Sequence, residues 1–465
     1  MTRRDPSRTD RYADTMLPIV TPDEMRAIDA AATTPVEVLI GRSGAAVARA
    51  ALRMLGGAYG RRVIVIAGKG NNGNDGRSAA EILRRRGVSV TVLDAGDVPG
   101  VLAPCELVID AAYGTGFSGS WIAPDPGDAL VLAVDIPSGI DGLTGQAGVG
   151  VMEADATVVL AALKPGLLFA PGSALAGDIE LADIGLPCSS RTHLVQRLDI
   201  DSWWNPRVTD AHKWQSSTRV VAGSPGMTGS AHLAASAAQR AGAGMVHLSV
   251  PGGLASGQHE YVQRPVPEAG WSSGVLAGLD RFQSLVIGPG LGRSDDTISA
   301  IRDVVRQSPL PTVIDGDGLF ALGWSPDGIG AILRDRRSPT VLTPHDGEYA
   351  VLAGCKPDHD RIGAARLLAH KLGVVVLLKG PATVVADPGG EALVVTAGDA
   401  RLATAGTGDV LSGIIGALLA QGLSGLHAAA AGAWIHGHAA RLGHARGLIA
   451  SDLLPLIPRV LDSLS

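Results

Sequence analysis

The sequence predicts two α/β domains in tandem, each built on a largely parallel sheet. Three observations carry that reading. The chain has 465 residues, more than one core usually organises. Short apolar runs alternate with helical ones along both halves, the pattern of parallel strands joined by crossover helices. Hydrophobic residues make up 46% of the chain and glycine fills 62 positions, with few aromatics, as in Ala/Gly/Val-rich α/β proteins.

In the first half, "RRVIVIAG" (61–68) reads as a buried strand and "RSAAEILRRRG" as a helix, followed by the strand "VSVTVL" (88–93). The runs "ELVIDAAYGTG", "DALVLAVDIPSG" and "ATVVLAALKPG" each end in a polar turn containing glycine. Ligands of doubly wound sheets sit beyond the C-terminal strand ends, where these clusters fall. Between the first strand and helix lies "GKGNNGNDG", read as a loop. It looks like a phosphate loop but lacks the Gly-Lys-Ser/Thr ending.

Between about 186 and 215 the pattern lapses, and the boundary is placed near residue 205, giving domains 1–205 and 206–465. Alternation resumes with "STRVVAG", a helix over 229–241, "GMVHLSV", "FQSLVIGPGLG", "PTVIDGDGL", "SPTVLTPHDGE" and "GVVVLLKGPATVVAD", then a long helix from Asp409. No short tandem repeat is present, so these are two different domains.

The net charge of −6 is spread along the chain, which argues against nucleic acid as a partner. Cys105, Cys188 and Cys355 share no metal or redox spacing and read as free thiols of a reducing compartment. The polar start "MTRRDPSRTDRYADTM" lacks the apolar core of a signal peptide, and no apolar run is long enough to span a membrane. A cytoplasmic enzyme with no membrane partner is expected.

The most specific local signal is "ATAGTGDVLSGIIGALLAQG" (403–422). Small residues precede a helix, so the N–H groups of Ala405, Gly406, Thr407 and Gly408 can point outward together, aided by the helix dipole. That is an anion hole suited to a transferring phosphoryl group. Asp409 at the helix start is placed to take a proton from an attacking hydroxyl. An Asp that only caps the helix would leave the other motifs of this half unexplained.

"TAGTGDVLSG" resembles the anion-hole segment of the ribokinase-like superfamily. With "HKW" (212–214), "GSPGMTGSAHLAASAAQRAGAGMV" (223–246), "GPGLG" (288–292), "DGDGL" (315–319), "TPHDGE" (343–348) and "KGPATVV" (379–385), the second half resembles the nucleotide-dependent dehydratases of hydrated NADH and NADPH. The resemblance implies that Ser230, Gly292, His345 and Asp409 face the hydrated nicotinamide nucleotide. It implies that Lys379, Gly380, Pro381, Ala382, Thr383 and Gly408 hold the phosphate donor. That donor is ADP in similar bacterial proteins, used with Mg2+. Ser230 stands where the family usually has Ala, and "DGDGL" replaces the more familiar Asp-Ala-Asp-Ala.

The first half resembles the epimerase partner of that dehydratase, a Rossmann-like domain. The matching segments are residues 70–76, 110–116, 135–139 and 163–166, with "TPDEMRAIDAAA" (21–32) like the family's opening helix. The resemblance implies that Asn72, Asp110 and Ser138 bind K+, for which oxygen-only ligands of low charge are suited. It implies that Asn71, Asn72, Gly73, Asn74 and Asp75 cradle the substrate with Gly114, Thr115, Gly116, Phe117, Ser118, Gly119, Ser120 and Asp135. Asp135 is the catalytic choice, as an acid/base shuttle. Asn74 replaces a usual Gly; if φ is positive there, Asn tolerates it better than most residues.

Together the halves are expected to form a bifunctional repair enzyme that interconverts the two epimers of hydrated NAD(P)H and dehydrates one. Both domain types commonly self-associate, so a homo-oligomer is expected. The competing reading is a hydroxymethylpyrimidine- or sugar-type kinase whose first domain only binds or dimerises.

Overall fold

The computed structural model describes residues 16–116, 119, 121–204, 208–254, 259–323, 328–334 and 336–464. The chain divides into two compact units, Leu17–Thr192 and the residues from His193 onward together with Met16. The segment after His193 belongs to the second unit because Val195 and Ile200 are buried in its core. Ile200 lies on the short helix Arg197–Trp203, in the stretch where the sequence shows no period.

The first unit is a parallel sheet of strands β1 (Arg62–Ala67), β2 (Ser89–Asp94), β3 (Leu107–Ala111), β4 (Leu130–Val134), β5 (Ala156–Leu160) and β6 (Asp178–Ala182). Their order is β2-β1-β3-β4-β5-β6. Central strands are apolar throughout because both faces are covered. On β1, Val63, Val65 and Ala67 join one core layer while Ile64 and Ile66 join the other, the two-residue alternation of a strand. Strand order reverses between β1 and β3, which opens a crevice beyond their C-terminal ends.

Helix α1 (Pro22–Ala31) begins in a reciprocal cap. The Glu24 N–H donates to Thr21 Oγ1 (3.2 Å), and the Thr21 N–H donates to Glu24 Oε2 (2.7 Å). Helices α2 (Val36–Leu55) and α3 (Asn71–Arg85) cross at Gly44, where a Cβ would lie 2.3 Å from Ser78 Oγ. The asparagine-rich stretch is not a loop. Gly70 is the extended N-cap, and Asn71 to Asp75 already form the first turns of α3. Asn74 therefore has ordinary helical backbone, its N–H donating to the Gly70 carbonyl (3.1 Å), and the condition of a positive φ does not arise there. Close approach explains Gly73, since a Cβ would lie 1.9 Å from the Gly68 oxygen.

The second unit is built on β7 (Ser217–Val221), β8 (Met245–Ser249), β9 (Val262–Gln263), β10 (Ser284–Ile287), β11 (Thr312–Ile314), β12 (Thr340–Leu342), β13 (Val375–Leu378), β14 (Thr383–Ala386) and β15 (Ala392–Val395). They run β15-β14-β13-β12-β11-β10-β7-β8-β9. Strands β7 to β13 pair in parallel, while β13, β14 and β15 form an antiparallel meander. "GVVVLLKGPATVVAD" is thus a hairpin, with Lys379 to Ala382 at its turn.

Helices α4 (Thr228–Arg240), α5 (Asp295–Gln307), α6 (Asp346–Ala353), α7 (Thr407–Ala420) and α8 (Gly425–Leu442) complete the frame. Helix α7 is buried along nearly its whole length, with Val410, Ile414, Ile415 and Leu418 wholly inaccessible. It fits because its neighbours approach glycine. A Cβ on Gly413 would lie 2.2 Å from the Ala234 oxygen, and one on Gly416 2.3 Å from Val286 Cγ2. Val in place of Gly413 therefore has to push α4 and α7 apart. Gly413→Val is expected to cost roughly 1–3 kcal/mol, seen as a lower urea midpoint of the second unit.

Candidate active sites

In the first unit, a cavity of about 1050 Å3 lies at the C-terminal strand ends. Asn71, Asn72, Asp75, Gly114, Asp135 and Lys164 line it, with Thr115 and Gly116. Asp135 follows β4 with φ of 68°, an uncommon value outside glycine and a mark of strain at functional positions. Its carboxylate accepts the Leu160 N–H (3.0 Å) and the Lys164 ammonium. Lys164 is 1% exposed and also donates to the Leu160 carbonyl (2.8 Å). The buried ammonium is thus paired with a carboxylate.

Asp75 sits on α3 in the cavity wall. Burial pushes its carboxyl up to about 8, the Asp135 charge adds to that, and a bond from Ser43 on α2 opposes it. Asp29 of α1 also raises it, and Lys164 lowers it. Two carboxyls of one cavity are thereby held in different states, one protonated and one ion-paired. Asp110, at the end of β3, is wholly buried. Its Oδ2 accepts the Ser138 N–H (2.8 Å), and its Oδ1 accepts the Ser138 hydroxyl (2.6 Å) and the Ala112 N–H (3.2 Å). Burial still raises the carboxyl above its ordinary value. The Asn72 amide, also buried, has neither of its polar atoms partnered.

Of the sequence-predicted residues, Gly73 and Asn74 lie on α3 away from the cavity lining. Gly119 has a positive φ of 133°. Phe117, Ser118 and Ser120 lie outside the described residues. Sequence reasoning assigned no role to Lys164, Asp29 or Ser43; "LKPG" and "TPDEMRAIDAAA" contained the first two.

In the second unit the predicted residues converge at the start of α7. Gly406 caps it in the left-handed region (φ 89°), and Asp409 is its third residue. Thr407 turns inward, its hydroxyl donating to the Leu402 (2.8 Å) and Thr404 (2.9 Å) carbonyls and its N–H facing Thr404 O (3.4 Å). The outward nest is thus narrower than the sequence suggests, since first-turn N–H groups lack helical partners and Thr407 is drawn inward. Burial pushes the Asp409 carboxyl up to about 6. A hydrogen bond from Ser230 and the charge of Lys379 oppose the rise, while Asp315 and Asp317 add to it.

Asp315 ties the site together from the end of β11. Its Oδ1 accepts the Lys379 ammonium and its Oδ2 the Ser412 hydroxyl of α7, each at 2.7 Å. Burial works to raise this carboxyl, but Lys379, with bonds from Ser412 and Thr343, outweighs it and holds it below the usual range. Burial likewise works to lower Lys379, and Asp315, Glu348 and Asp409 hold it above its ordinary value. A Cβ on Gly408 would lie 3.4 Å from Lys379 Nζ and 3.6 Å from Asp315 Oδ2.

Around this centre, Arg361 fixes the hairpin turn by donating to the Lys379 carbonyl (2.8 Å), and the Thr383 hydroxyl bonds the Gly380 carbonyl (3.3 Å). The Gly292 N–H donates to Asp317 Oδ2 (2.9 Å). His345 caps α6, its Nδ1 accepting the Gly347 (3.0 Å) and Glu348 (3.3 Å) N–H groups. That leaves Nε2 as the protonated nitrogen, 3.6 Å from Glu348 Oε2. Asp315, Asp317, Glu348 and Ser412 were missed as functional residues, although "DGDGL", "TPHDGE" and "GDVLSG" spell them.

A family model described as "NAD(P)H-hydrate dehydratase" matches residues 218–459, and one described as "YjeF-related protein N-terminus" matches 36–99 and 93–166. A bifunctional NAD(P)H-hydrate repair enzyme of Mycobacterium leprae is 40% identical over 89% of this chain and 91% of its own. Its namesake of Escherichia coli K12 is 33% identical over 94% and 92%. The ADP/ATP-dependent NAD(P)H-hydrate dehydratase of Bacillus subtilis, co-crystallized with ATP/Mg2+, covers 58% of this chain and 98% of its own at 27% identity, with a TM-score of 0.50. A ribokinase-like superfamily protein of Enterococcus faecalis shares the fold at 20% identity and a TM-score of 0.51. Among the described residues no helix is long and apolar enough to cross a membrane. With relatives matched across both units, the chain belongs to the bifunctional NAD(P)H-hydrate repair enzymes.

Proposed function

We propose that the second unit dehydrates its substrate by first phosphorylating it, with ADP as donor, and that Asp409 is the base. The observation that carries this is the Asp409 carboxylate at the first turn of α7, bonded by Ser230 and facing the Lys379–Asp315 pair. The hydrate carries a hydroxyl on ring carbon 6. Hydroxide leaves poorly, its conjugate acid having a pKa of about 15.7, whereas phosphate, with a second pKa of about 6, leaves well. Asp409 takes the hydroxyl proton, and the oxygen attacks the terminal phosphoryl group of ADP, releasing AMP. The ring nitrogen's lone pair then expels phosphate, and loss of the carbon 5 proton gives NADH or NADPH.

In this reading Lys379 neutralises charge on the donor, held at the site by Asp315, while the turn through Gly380, Pro381, Ala382 and Thr383 and the small Gly408 admit its phosphates. Gly292, His345 and Ser230 face the nicotinamide nucleotide. Mg2+ would shield the donor phosphates; it is held mainly by phosphates and waters with one or two carboxylates, and Glu348 beside Lys379 suits that need.

The first unit is read as the epimerase. Carbon 6 bears both hydroxyl and ring nitrogen, so a base that takes the hydroxyl proton lets the carbon 6–nitrogen bond open to an aldehyde while an acid protonates the departing nitrogen, and reclosure on the other face returns both protons and inverts the carbon. Asp135, ion-paired with Lys164, is the base, and Asp75, held neutral, is the acid. K+ fits Asn72, Asp110 and Ser138. The buried Asn72 amide lacks a partner, and Asp110 is a buried carboxylate that no cation among the described residues offsets. The ion would supply that charge and order the substrate loop. A cytoplasmic homo-oligomer completes the reading.

Assays of the parent chain and of its variants test it. Mixed with hydrated NADH and ADP, the parent chain is expected to restore the absorbance of reduced nicotinamide and release AMP. Asp409→Asn should lower that rate by roughly 10²–10⁴-fold while KM changes little; an equal loss of affinity would assign Asp409 to binding instead. Because Asp409 works ionised, kcat/KM should fall as pH drops below about 6. Ser230→Ala removes a bond that favours the ionised form, so this acid limb should move to higher pH; an unmoved limb would deny Ser230 that role. Supplied with only the epimer that the second unit does not use, Asp135→Asn should stall where the parent proceeds, and equal progress by both would leave the first unit a scaffold.

A further inference from the structure

One face of the sheet edge in the second unit gathers cations that neither active site uses. In the register of β7 and β8, Arg219 lies opposite His247, while Val220 and Leu248, the next residues along, turn to the other face and join the core. Arg219 is 5% exposed and donates to Ser249 Oγ (2.7 Å), yet its Nε is buried without a partner. Exposed Arg264 donates through Nε to His247 Nδ1 (3.3 Å). Exposed Arg281 stacks over half-buried Trp214, its guanidinium carbon 4.2 Å from the ring centre. Trp214 and Phe282 meet the His247 ring edge-on, at 5.6 and 5.0 Å.

The charges that bear on this floor are all of one sign. Arg264 acts on Arg219, and Arg264, Arg219 and Arg281 act on His247. A buried guanidinium without an opposing charge is costly, and the charge of Arg264 adds to that cost. Burial and the three arginines push His247 down to about 4, so its ring is neutral. With Nδ1 accepting from Arg264, Nε2 carries the hydrogen and is a donor. Among the described residues, the surface therefore offers donors, and the charges acting on it are cationic.

We infer that Arg219, His247, Arg264 and Arg281 form a phosphate-binding site beside Trp214, separate from both active sites. Arginine forks match the oxygens of phosphate, and a dianion balances several of them at once. The phosphate group is either the free ion that dehydration releases or one borne by a nucleotide. Trp214, in the motif "HKW" that the catalytic reading leaves without a role, closes one side of the site.

The test uses the full chain with isotope-labelled histidine, the His247 ring signals being assigned by their loss in His247→Gln. Inorganic phosphate and AMP are titrated separately. Saturable shifts of the His247 signals are expected, with a higher His247 pKa in the bound form. Response to phosphate alone identifies the free ion, and tighter binding of AMP identifies a nucleotide phosphate. Arg281→Ala, a change at an exposed side chain, should weaken the response about tenfold, with unaltered His436 signals reporting an intact fold. Absence of any His247 shift with either probe overturns the proposal. So does self-association that Arg281→Ala abolishes while phosphate has no effect, which would give the cluster to a carboxylate of a second copy.

Discussion

The dehydratase site depends on one buried ion pair. Asp315 stands at the end of a central parallel strand, Lys379 at the turn of the antiparallel meander, and Ser412 on the helix that forms the anion hole. These elements are far apart in sequence, and the Asp315 carboxylate bonds two of them at once. Removing either partner of such a pair leaves a charge stranded in a poorly solvated place, so the two sides keep each other in position. Gly408 lies beside this pair, where an added Cβ would sit 3.4 Å from the ammonium and 3.6 Å from the carboxylate, in ordinary contact.

The first unit solves a different problem with similar means. Asp75 and Asp135, two carboxyls of the first unit's cavity, meet different surroundings. Here the difference is made by placement. Lys164 is ion-paired with Asp135, while Asp75, in the wall, has its carboxyl raised by burial and by the Asp135 charge. The positive φ at Asp135 aims the carboxylate toward Lys164 from a position that an ordinary strand end would not reach.

Much of this architecture was legible in the sequence, for physical reasons. Strands buried on both faces must be apolar along their length, so "RVIVIA" and "LVLAV" announce themselves. The start of α7 is legible because small residues precede a long apolar run. What stayed hidden depends on long-range contact. Nothing local says that the helix begins inside "NNGND", since asparagine and glycine are poor helix formers and the start is fixed by the packing of Gly73 on Gly68. Lys164, Asp315 and Ser412 acquire their meaning only from partners distant in sequence, and period or propensity carries no such information. The meander escaped notice because its turn, "KGPAT", also reads as a ligand loop.

The packing of α7 bears on how the enzyme spends its thermal motion. A helix enclosed by α4, α8 and the sheet, with neighbouring backbone pressed against its glycines, has nowhere to slide. The amide dipoles at its tip are therefore held in orientation by the packing of the helix behind them. Adjustment to different substrates must come from the surrounding turns, leaving the helix as the fixed reference against which they move.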